Sequence, residues 1–250
     1  MGLSNFFNIK NILFFFGLSF TVQVTAAGNS ILENTGISLS STRVIYPGDK
    51  GNGITYTLTN NSPYPYLLQS KIIPWDKDSQ SNHKGTTENT PFIVLPPLVR
   101  FEPESPLTLR IRLTKNILPK DRESVFLLTL NAIPAQQNND TEQNSLVMST
   151  QNNLKLFYRP SDLPPLTTEQ IGSKLEIKRS NGELIIKNPT PFYVTLNSLS
   201  QGMDEIDLGN VRMIEPFSEK AWVLKSGGTG GISLQLITDD GSVSEIINHP

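Results

Sequence analysis

Short runs in which apolar and polar residues alternate recur along most of this chain, and they constrain its fold more than any other feature. The clearest are residues 37–46, 53–60 and 107–113. Alternation with a period of two places one face of a β-strand in a core and the other in solvent. Turn signals such as Pro47-Gly48 end the runs. The pattern therefore predicts an all-β fold of short strands.

A proline-rich segment divides these runs into two sets. Residues 159–165 read Arg-Pro-Ser-Asp-Leu-Pro-Pro, a composition typical of a linker between domains. Candidate strands precede and follow this segment at the spacing that immunoglobulin-like sandwiches show. We therefore predict two immunoglobulin-like β-sandwich domains, over residues 28–160 and 161–250.

The first residues have the composition of an export signal. Lys10 precedes an apolar run at residues 12–20, and small residues follow at Ala26 and Ala27. This order predicts a cleavable signal peptide over residues 1–27 and an exported mature chain. The apolar run is shorter than the about 20 residues that a membrane-spanning helix needs, so we expect no membrane insertion.

Composition argues against several classes of function. The chain has 21 basic and 23 acidic residues, and loss of Lys10 leaves a net charge of −3, whereas nucleic-acid-binding domains are normally basic. Cysteine is absent, which excludes thiol nucleophiles and thiolate metal sites. The two histidines, His83 and His249, lie in a polar loop and at the chain end. We expect no metal site, no cofactor and no enzyme, although a count of carboxylates cannot exclude a glycosidase.

A lysine among apolar residues points to a binding function. Lys155 lies between Leu154 and Leu156, at the end of a run that stops at Arg159-Pro160. Lysine is rarely buried without a partner. It either extends its charge to solvent from the strand end or meets an anion, and the flanking residues alone favour the first interpretation.

Five short sequence motifs, which occur in a fixed order, favour the second interpretation, in which Lys155 meets an anion. They are residues 42–46 (Thr-Arg-Val-Ile-Tyr), 91–98 (Pro-Phe-Ile-Val-Leu-Pro-Pro-Leu), 118–124 (Leu-Pro-Lys-Asp-Arg-Glu-Ser), 154–160 (Leu-Lys-Leu-Phe-Tyr-Arg-Pro) and 188–195 (Asn-Pro-Thr-Pro-Phe-Tyr-Val-Thr). Together they make the chain closely similar to the periplasmic pilus-assembly chaperones of the chaperone–usher pathway, over roughly residues 37–241.

The resemblance implies both an architecture and a function. The two domains would form a boomerang, and the protein would act in the periplasm. It would bind, fold and cap pilus (fimbrial) subunits by donor-strand complementation, in which the chaperone lends a strand to an unfinished sandwich. It would then deliver the subunits to an outer-membrane usher. An exposed apolar strand also favours a self-capping homodimer of the free chaperone.

The resemblance further implies which residues bind the subunit. Arg43 and Lys155 would hold the carboxylate at the subunit's C-terminus, because both side chains give a carboxylate charge-assisted hydrogen bonds. The residues implied for the donor strand are Leu146, Met148, Thr150 and Leu154. Thr150 is polar where the family usually carries a large apolar residue. For Leu154 the alternative is an ordinary place in the chaperone's own core.

A second implied set is an ion network at the domain junction, formed by Glu123, Arg159 and Asp239, which would fix the angle between the domains. Asp239 has the weakest support of the three, because Asp240 follows it at a position where an aromatic residue is common in the family. The alternative for the whole set is three unrelated surface charges.

A secreted carbohydrate-binding β-sandwich is the main alternative function. Trp75 and Trp222, with Tyr64 and Tyr66, would provide a platform for sugar rings, although such aromatic residues more often fill cores.

Overall fold

The computed structural model describes residues 36–75, 90–135, 148–210, 212–224 and 230–249. These residues belong to one compact unit that contains two β-sandwiches. The predicted signal peptide, over residues 1–27, lies outside the described residues.

In the described residues, the first sandwich has nine strands in two sheets. Their bounds are β1 (Ile37–Leu39), β2 (Arg43–Pro47), β3 (Ile54–Asn60), β4 (Tyr66–Pro74), β5 (Phe92–Leu95), β6 (Leu98–Phe101), β7 (Ser105–Leu113), β8 (Ser124–Pro134) and β9 (Thr150–Arg159). One sheet has the order β1-β3-β7-β5 and the other β2-β9-β8-β4-β6. Their facing side chains form the first core, in which Tyr46, Leu128 and Leu156 are almost completely buried.

The alternating run at residues 37–46 does not form the single strand that its pattern predicts. It is divided between β1, which pairs with β3 in one sheet, and β2, which pairs with β9 in the other. The polar stretch Ser40-Ser41-Thr42 separates the two strands, and a chain that crosses between sheets in this way closes the corner of a sandwich. Arg43 thereby becomes the first residue of β2.

The second sandwich begins after a short helix, α1 (Thr168–Ser173), which the Thr167 side chain caps. Its strands are β10 (Glu176–Ser180), β11 (Glu183–Asn188), β12 (Val194–Gln201), β13 (Asp204–Glu205), β14 (Met213–Ile214), β15 (Ser218–Val223), β16 (Ile232–Leu236) and β17 (Ile247–His249). One sheet has the order β10-β11-β15 and the other β13-β12-β16-β17, with β14 also paired to β12. Leu184, Leu196 and Trp222 are buried between them.

A third, smaller apolar cluster joins the two sandwiches. Val125 of β8 and Phe157 of β9 pack against Met213 of the second sandwich, with Trp75 and Tyr193 at the margin. The side chains of Val125 and Phe157 lie on the face of their sheet opposite the first core, because side chains alternate along a strand. The polar site described next lies on this same face.

Candidate functional site

Arg43 and Lys155 are neighbours across two strands. β2 runs parallel to β9, and the register places Arg43 beside Lys155 and Pro47 beside Arg159. All other strand pairs among the described residues are antiparallel. The structure therefore brings together two cationic residues that lie far apart in the sequence.

Arg43 is held by contacts from both sandwiches. Its side chain is only 9% exposed, and its Nη1 donates a hydrogen bond to the carbonyl of Ile237, at 3.1 Å. The guanidinium carbon lies 5.3 Å from the ring centroid of Phe157, a distance typical of a cation–π contact. Burial lowers the pKa of Arg43, and the charges of Asp239 and Glu123 offset that effect only in part.

Lys155 is half-buried, and no described residue forms a hydrogen bond or ring contact with its ammonium group. Burial lowers the pKa of its ammonium group, and the adjacent charge of Arg43 lowers it further. Neither Lys155 nor Arg43 forms an ion pair with any residue in the described part of the chain. Adjacent like charges that are partly desolvated are unfavourable, so this pair is suited to receive an anion that neutralises it.

The pair marks the end of an open strand edge. On one side, β8 pairs with β9 from Thr150 to Tyr158. On the other side, β2 pairs with β9 only from Lys155 to Arg159. Residues 150–154 consequently have backbone groups without a partner strand on that side, among the strands that the structure describes. Such an edge can accept another strand. The added strand would end at Arg43, because β2 occupies the edge from that residue onward.

The predicted donor residues fall in different environments. Met148 is 73% exposed and Thr150 is exposed as well. Leu154 is 6% exposed and belongs to the first core, so its side chain contacts the protein's own interior, as the alternative assignment expects. Leu146 lies outside the described residues. Among the described residues of this segment, Met148, which precedes β9, has the exposed apolar side chain.

The residues of the predicted ion network are in contact. Arg159 Nε donates to Glu123 Oε1 at 2.7 Å, and its two terminal nitrogens donate to the two carboxylate oxygens of Asp239, at 2.6 and 2.9 Å. Glu123 also accepts a hydrogen bond from the backbone N–H of Tyr193, at 2.8 Å. The network therefore links Glu123, which immediately precedes β8, and Arg159, the last residue of β9, to two segments of the second sandwich.

The pKa values of Arg159 and Glu123 are both raised, but for different reasons. Burial alone would lower the pKa of Arg159, but its hydrogen bonds to Asp239 and the charge of Glu123 outweigh burial and raise the pKa. Glu123 is 3% exposed, and burial raises its pKa against the opposing effects of Arg159 and the Tyr193 N–H. The two bonds at normal charge-assisted distances indicate an ionised Glu123.

The neighbouring carboxylates of Asp239 and Asp240 have different partners. Asp239 points to Arg159, whereas Asp240 accepts hydrogen bonds from the Thr238 hydroxyl and from the Ser242 N–H, the latter at 3.0 Å. These bonds lower the pKa of Asp240 to about 2. Asp240 thus stabilises its own turn.

Sequence reasoning missed the backbone groups that complete the site. The Ile237 carbonyl and the Tyr193 N–H hold Arg43 and Glu123, but a backbone group leaves no signal in residue type. The contact between Phe157 and Arg43 also went unrecognised, although the position of Phe157 two residues after Lys155 places both on one face of β9.

The aromatic residues of the alternative sugar platform do not form one. Trp222 is 5% exposed in the second core and donates its indole N–H to the Leu208 carbonyl. Trp75 packs edge-on against Tyr193, with the ring centroids 6.2 Å apart, at the cluster between the sandwiches. Both rings are used in packing, so a carbohydrate site on them is not supported. Within the described residues, no three His, Cys, Asp or Glu side chains are grouped so as to hold a metal ion.

Both halves of the molecule match one protein family. Residues 36–164 match the family described as pili and flagellar-assembly chaperone, PapD N-terminal domain. Residues 170–247 match the pili assembly chaperone PapD, C-terminal domain. The chain belongs to the PapD family of pilus-assembly chaperones.

Known members of the family align with this chaperone over nearly its whole length. The chaperone protein FimC of Escherichia coli O6:H1 is 31% identical over 229 residues, which are 91% of this chain and 88% of FimC. The solved complex of the Salmonella enterica SafA pilin with the SafB chaperone contains a chain that is 31% identical with a TM-score of 0.72, covering 86% of this chain and 96% of that one. The periplasmic chaperone SfaE is 30% identical with a TM-score of 0.65, covering 85% and 98%.

The comparisons confirm the predicted all-β, two-domain chaperone fold and the predicted function as a chaperone of pilus subunits. The family is one of chaperones rather than of enzymes. In the described part of the chaperone, no helix has the length and apolar character needed to cross a membrane.

Proposed function

We propose that this chaperone caps a pilus subunit in the periplasm by adding the edge of β9 to the subunit's unfinished sheet, and that Arg43 and Lys155 bind the subunit's terminal carboxylate. The observation that carries the proposal is the position of this unneutralised cationic pair at the end of the open edge of β9. SafB, one of the similar proteins, has been solved in complex with a pilin.

The direction of the added strand follows from the position of β2. A strand that pairs with residues 150–154 lies in line with β2, on the same side of β9. For its C-terminus to meet Arg43 and Lys155, that strand must run toward residue 155 and therefore parallel to β9, as β2 does. The subunit strand and β2 would then lie end to end along the same edge of β9, with the subunit's carboxylate between them.

The carboxylate would be held by charge-assisted hydrogen bonds in a partly desolvated site. Because Arg43 is already held by the Ile237 carbonyl and by Phe157, little conformational freedom is lost when the carboxylate binds. Removal of one partner from such a charge pair costs about 2–5 kcal/mol. The same contact would fix the register, since a slip by one residue turns every side chain to the opposite face.

Side chains of the donor segment would fill the subunit's groove. We assign this role to Met148 and Leu146, with a smaller contribution from Thr150. Each apolar side chain that becomes buried contributes about 1.5–3 kcal/mol, and the flexible side chain of methionine adapts to grooves of different shape. Leu154 would contribute its backbone, because its side chain packs in the first core.

The remaining assignments rest on the family and on the sequence. We propose a cleaved signal peptide over residues 1–27, a donor-strand domain over residues 28–160 and a second domain over residues 161–250. The ion network of Arg159 would fix the two domains relative to each other. The capped subunit would be delivered to an outer-membrane usher, and the open edge of β9 would favour pairing between two copies when no subunit is present.

Purification of the chaperone from the periplasm of cells that also make the pilus subunit tests the proposal. We expect a one-to-one complex with the unaltered chaperone and almost none with Lys155→Ala or Arg43→Ala. Lys178→Ala is the matched control, because it removes the same charge from an exposed strand position in the second sandwich. Equal yields of complex from Lys155→Ala and Lys178→Ala would show that the carboxylate anchor is wrong.

A further inference from the structure

One turn of the second sandwich makes three separate contacts with the first sandwich. This turn, residues 237–242, connects β16 to the segment before β17 and is called here the docking turn. Its Ile237 carbonyl accepts the hydrogen bond from Arg43, and its Asp239 carboxylate binds Arg159. The third contact is between Gly241 and Thr42.

The docking turn is held by its own hydrogen bonds. The Thr238 N–H donates to the Ser242 carbonyl at 2.9 Å, and the Gly241 N–H donates to the Thr238 carbonyl at 3.0 Å. Asp240 accepts from the Ser242 N–H as well. Because the turn is closed in this way, its three contacts with the first sandwich act as one unit.

Gly241 allows the turn to approach the first sandwich. Its φ is +87°, in the left-handed region that favours glycine. A β-carbon at this position would overlap the Oγ1 atom of Thr42 and would lie 3.3 Å from the Thr42 β-carbon. Rotation of the Thr42 side chain would relieve the overlap with Oγ1 but not the close approach to the β-carbon, so the turn and Thr42 still have to separate slightly.

Thr42 immediately precedes the anchor arginine. A shift of Thr42 moves the backbone at the start of β2, and a shift of the turn moves the Ile237 carbonyl that accepts from Arg43. Either movement disturbs the hydrogen bond of 3.1 Å that orients the guanidinium. The position of Arg43 is thus coupled to a residue of the other sandwich.

We propose that Gly241 is a positioning residue for subunit binding: its missing side chain lets the docking turn close on Thr42 and hold Arg43 in the orientation that receives the subunit's carboxylate. Gly241 itself need not touch the subunit. The inference rests on the proposed function of Arg43, and it adds that the strength of the anchor depends on contact between the two sandwiches.

The test compares Gly241→Ala with Gly182→Ala. Gly182 has a φ of +79° and no atom near the position of an added β-carbon, so its substitution introduces similar backbone strain without the overlap. The probe is the pilus subunit that co-purifies with the unaltered chaperone. We expect Gly241→Ala to weaken subunit capture about tenfold, which corresponds to about 1.4 kcal/mol, and Gly182→Ala to leave capture unchanged.

A second substitution separates the overlap from a general loss of folding. Thr42→Ala removes the Oγ1 atom that an alanine at residue 241 would meet. In the Thr42→Ala background, Gly241→Ala should therefore weaken capture by less than threefold, a non-additive result of the kind that contacting residues give. Additive losses would overturn the proposal.

A third readout needs no subunit. Arg43 is nearly buried, so its reaction with phenylglyoxal, followed by mass spectrometry, should be several-fold faster in Gly241→Ala than in Gly182→Ala. If Arg43→Ala does not weaken capture, the proposed function fails. If Arg43→Ala weakens capture but Gly241→Ala behaves like Gly182→Ala in both assays, the positioning role alone is wrong.

Discussion

Two cationic sites lie on the same pair of strands, and they differ in whether their charge is neutralised. Arg159, at one end of the β2–β9 pairing, binds two carboxylates. Arg43 and Lys155, at the other end, form no ion pair with a described residue. A buried charge that is satisfied within the protein holds the fold together, whereas an unsatisfied one is available for a ligand. The difference separates a structural site from the proposed binding site within one sheet.

The largest expected effect is on stability and falls at the neutralised site. Arg159→Ala leaves Glu123 buried with one backbone donor, and breaking a buried pair in this way costs about 3–5 kcal/mol. Urea unfolding measures the loss. Arg100→Ala is the control, because it breaks an exposed pair with Glu102 that contributes at most about 1 kcal/mol. Similar losses from the two variants would contradict the comparison.

The next effect falls at the proposed binding site, where a substitution should weaken binding without reducing stability. Lys155→Met retains most of the side-chain volume and removes a partly desolvated charge beside Arg43. We expect subunit capture to weaken by about 2–5 kcal/mol, while the free energy of unfolding stays the same or rises. A binding titration and urea unfolding of the same preparation provide both values. A marked loss of stability would assign Lys155 to the fold instead.

A smaller effect is expected where the structural network reaches solvent. The Asp239 side chain is 53% exposed, so solvent screens its attraction to Arg159. Asp239→Asn should reduce the free energy of unfolding by about 1 kcal/mol, less than the loss from Arg159→Ala. Urea unfolding of both variants checks this ranking, and a larger loss from Asp239→Asn would reverse it.

The smallest effect is a dependence of subunit binding on alkaline pH. The pKa of Lys155 is lowered in the free chaperone by burial and by Arg43, so Lys155 loses its proton at a lower pH than an exposed lysine does. Binding of a carboxylate needs the protonated form, so at the pH that equals this pKa, where half of the Lys155 side chains are protonated, affinity should be about twofold lower than at neutral pH. Titrations with Lys155→Arg provide the control, since a guanidinium stays charged and should flatten the profile.

Local patterns predicted most strands but not how distant strands meet. The runs at residues 53–60 and 107–113 form β3 and β7 because each has one buried and one exposed face. The run at residues 37–46 alternates equally well, yet the chain crosses between sheets within it. Alternation indicates that one face of a strand is buried, but it does not indicate which sheet the strand joins.

The sequence indicated which residues form the candidate site, but it indicated much less of how they are arranged in space. The phrases around Arg43 and Lys155 indicated a carboxylate-binding pair through the family resemblance. The parallel register that makes these residues neighbours depends on long-range pairing that no local signal contains. Leu154 shows the same limit, since an apolar residue on a strand fits the protein's own core and a partner's groove equally well until the packing is known.

The place where β2 begins has a consequence for the length of the guest chain. A strand laid along residues 150–154 meets the first residue of β2 directly ahead, so it cannot continue along β9 beyond its terminal carboxylate. In the proposed binding mode, the chaperone therefore recognises a subunit by the position of its C-terminal residue. A subunit that carries a C-terminal affinity tag would be refused even though its groove is intact, and tags for such proteins belong elsewhere in the chain.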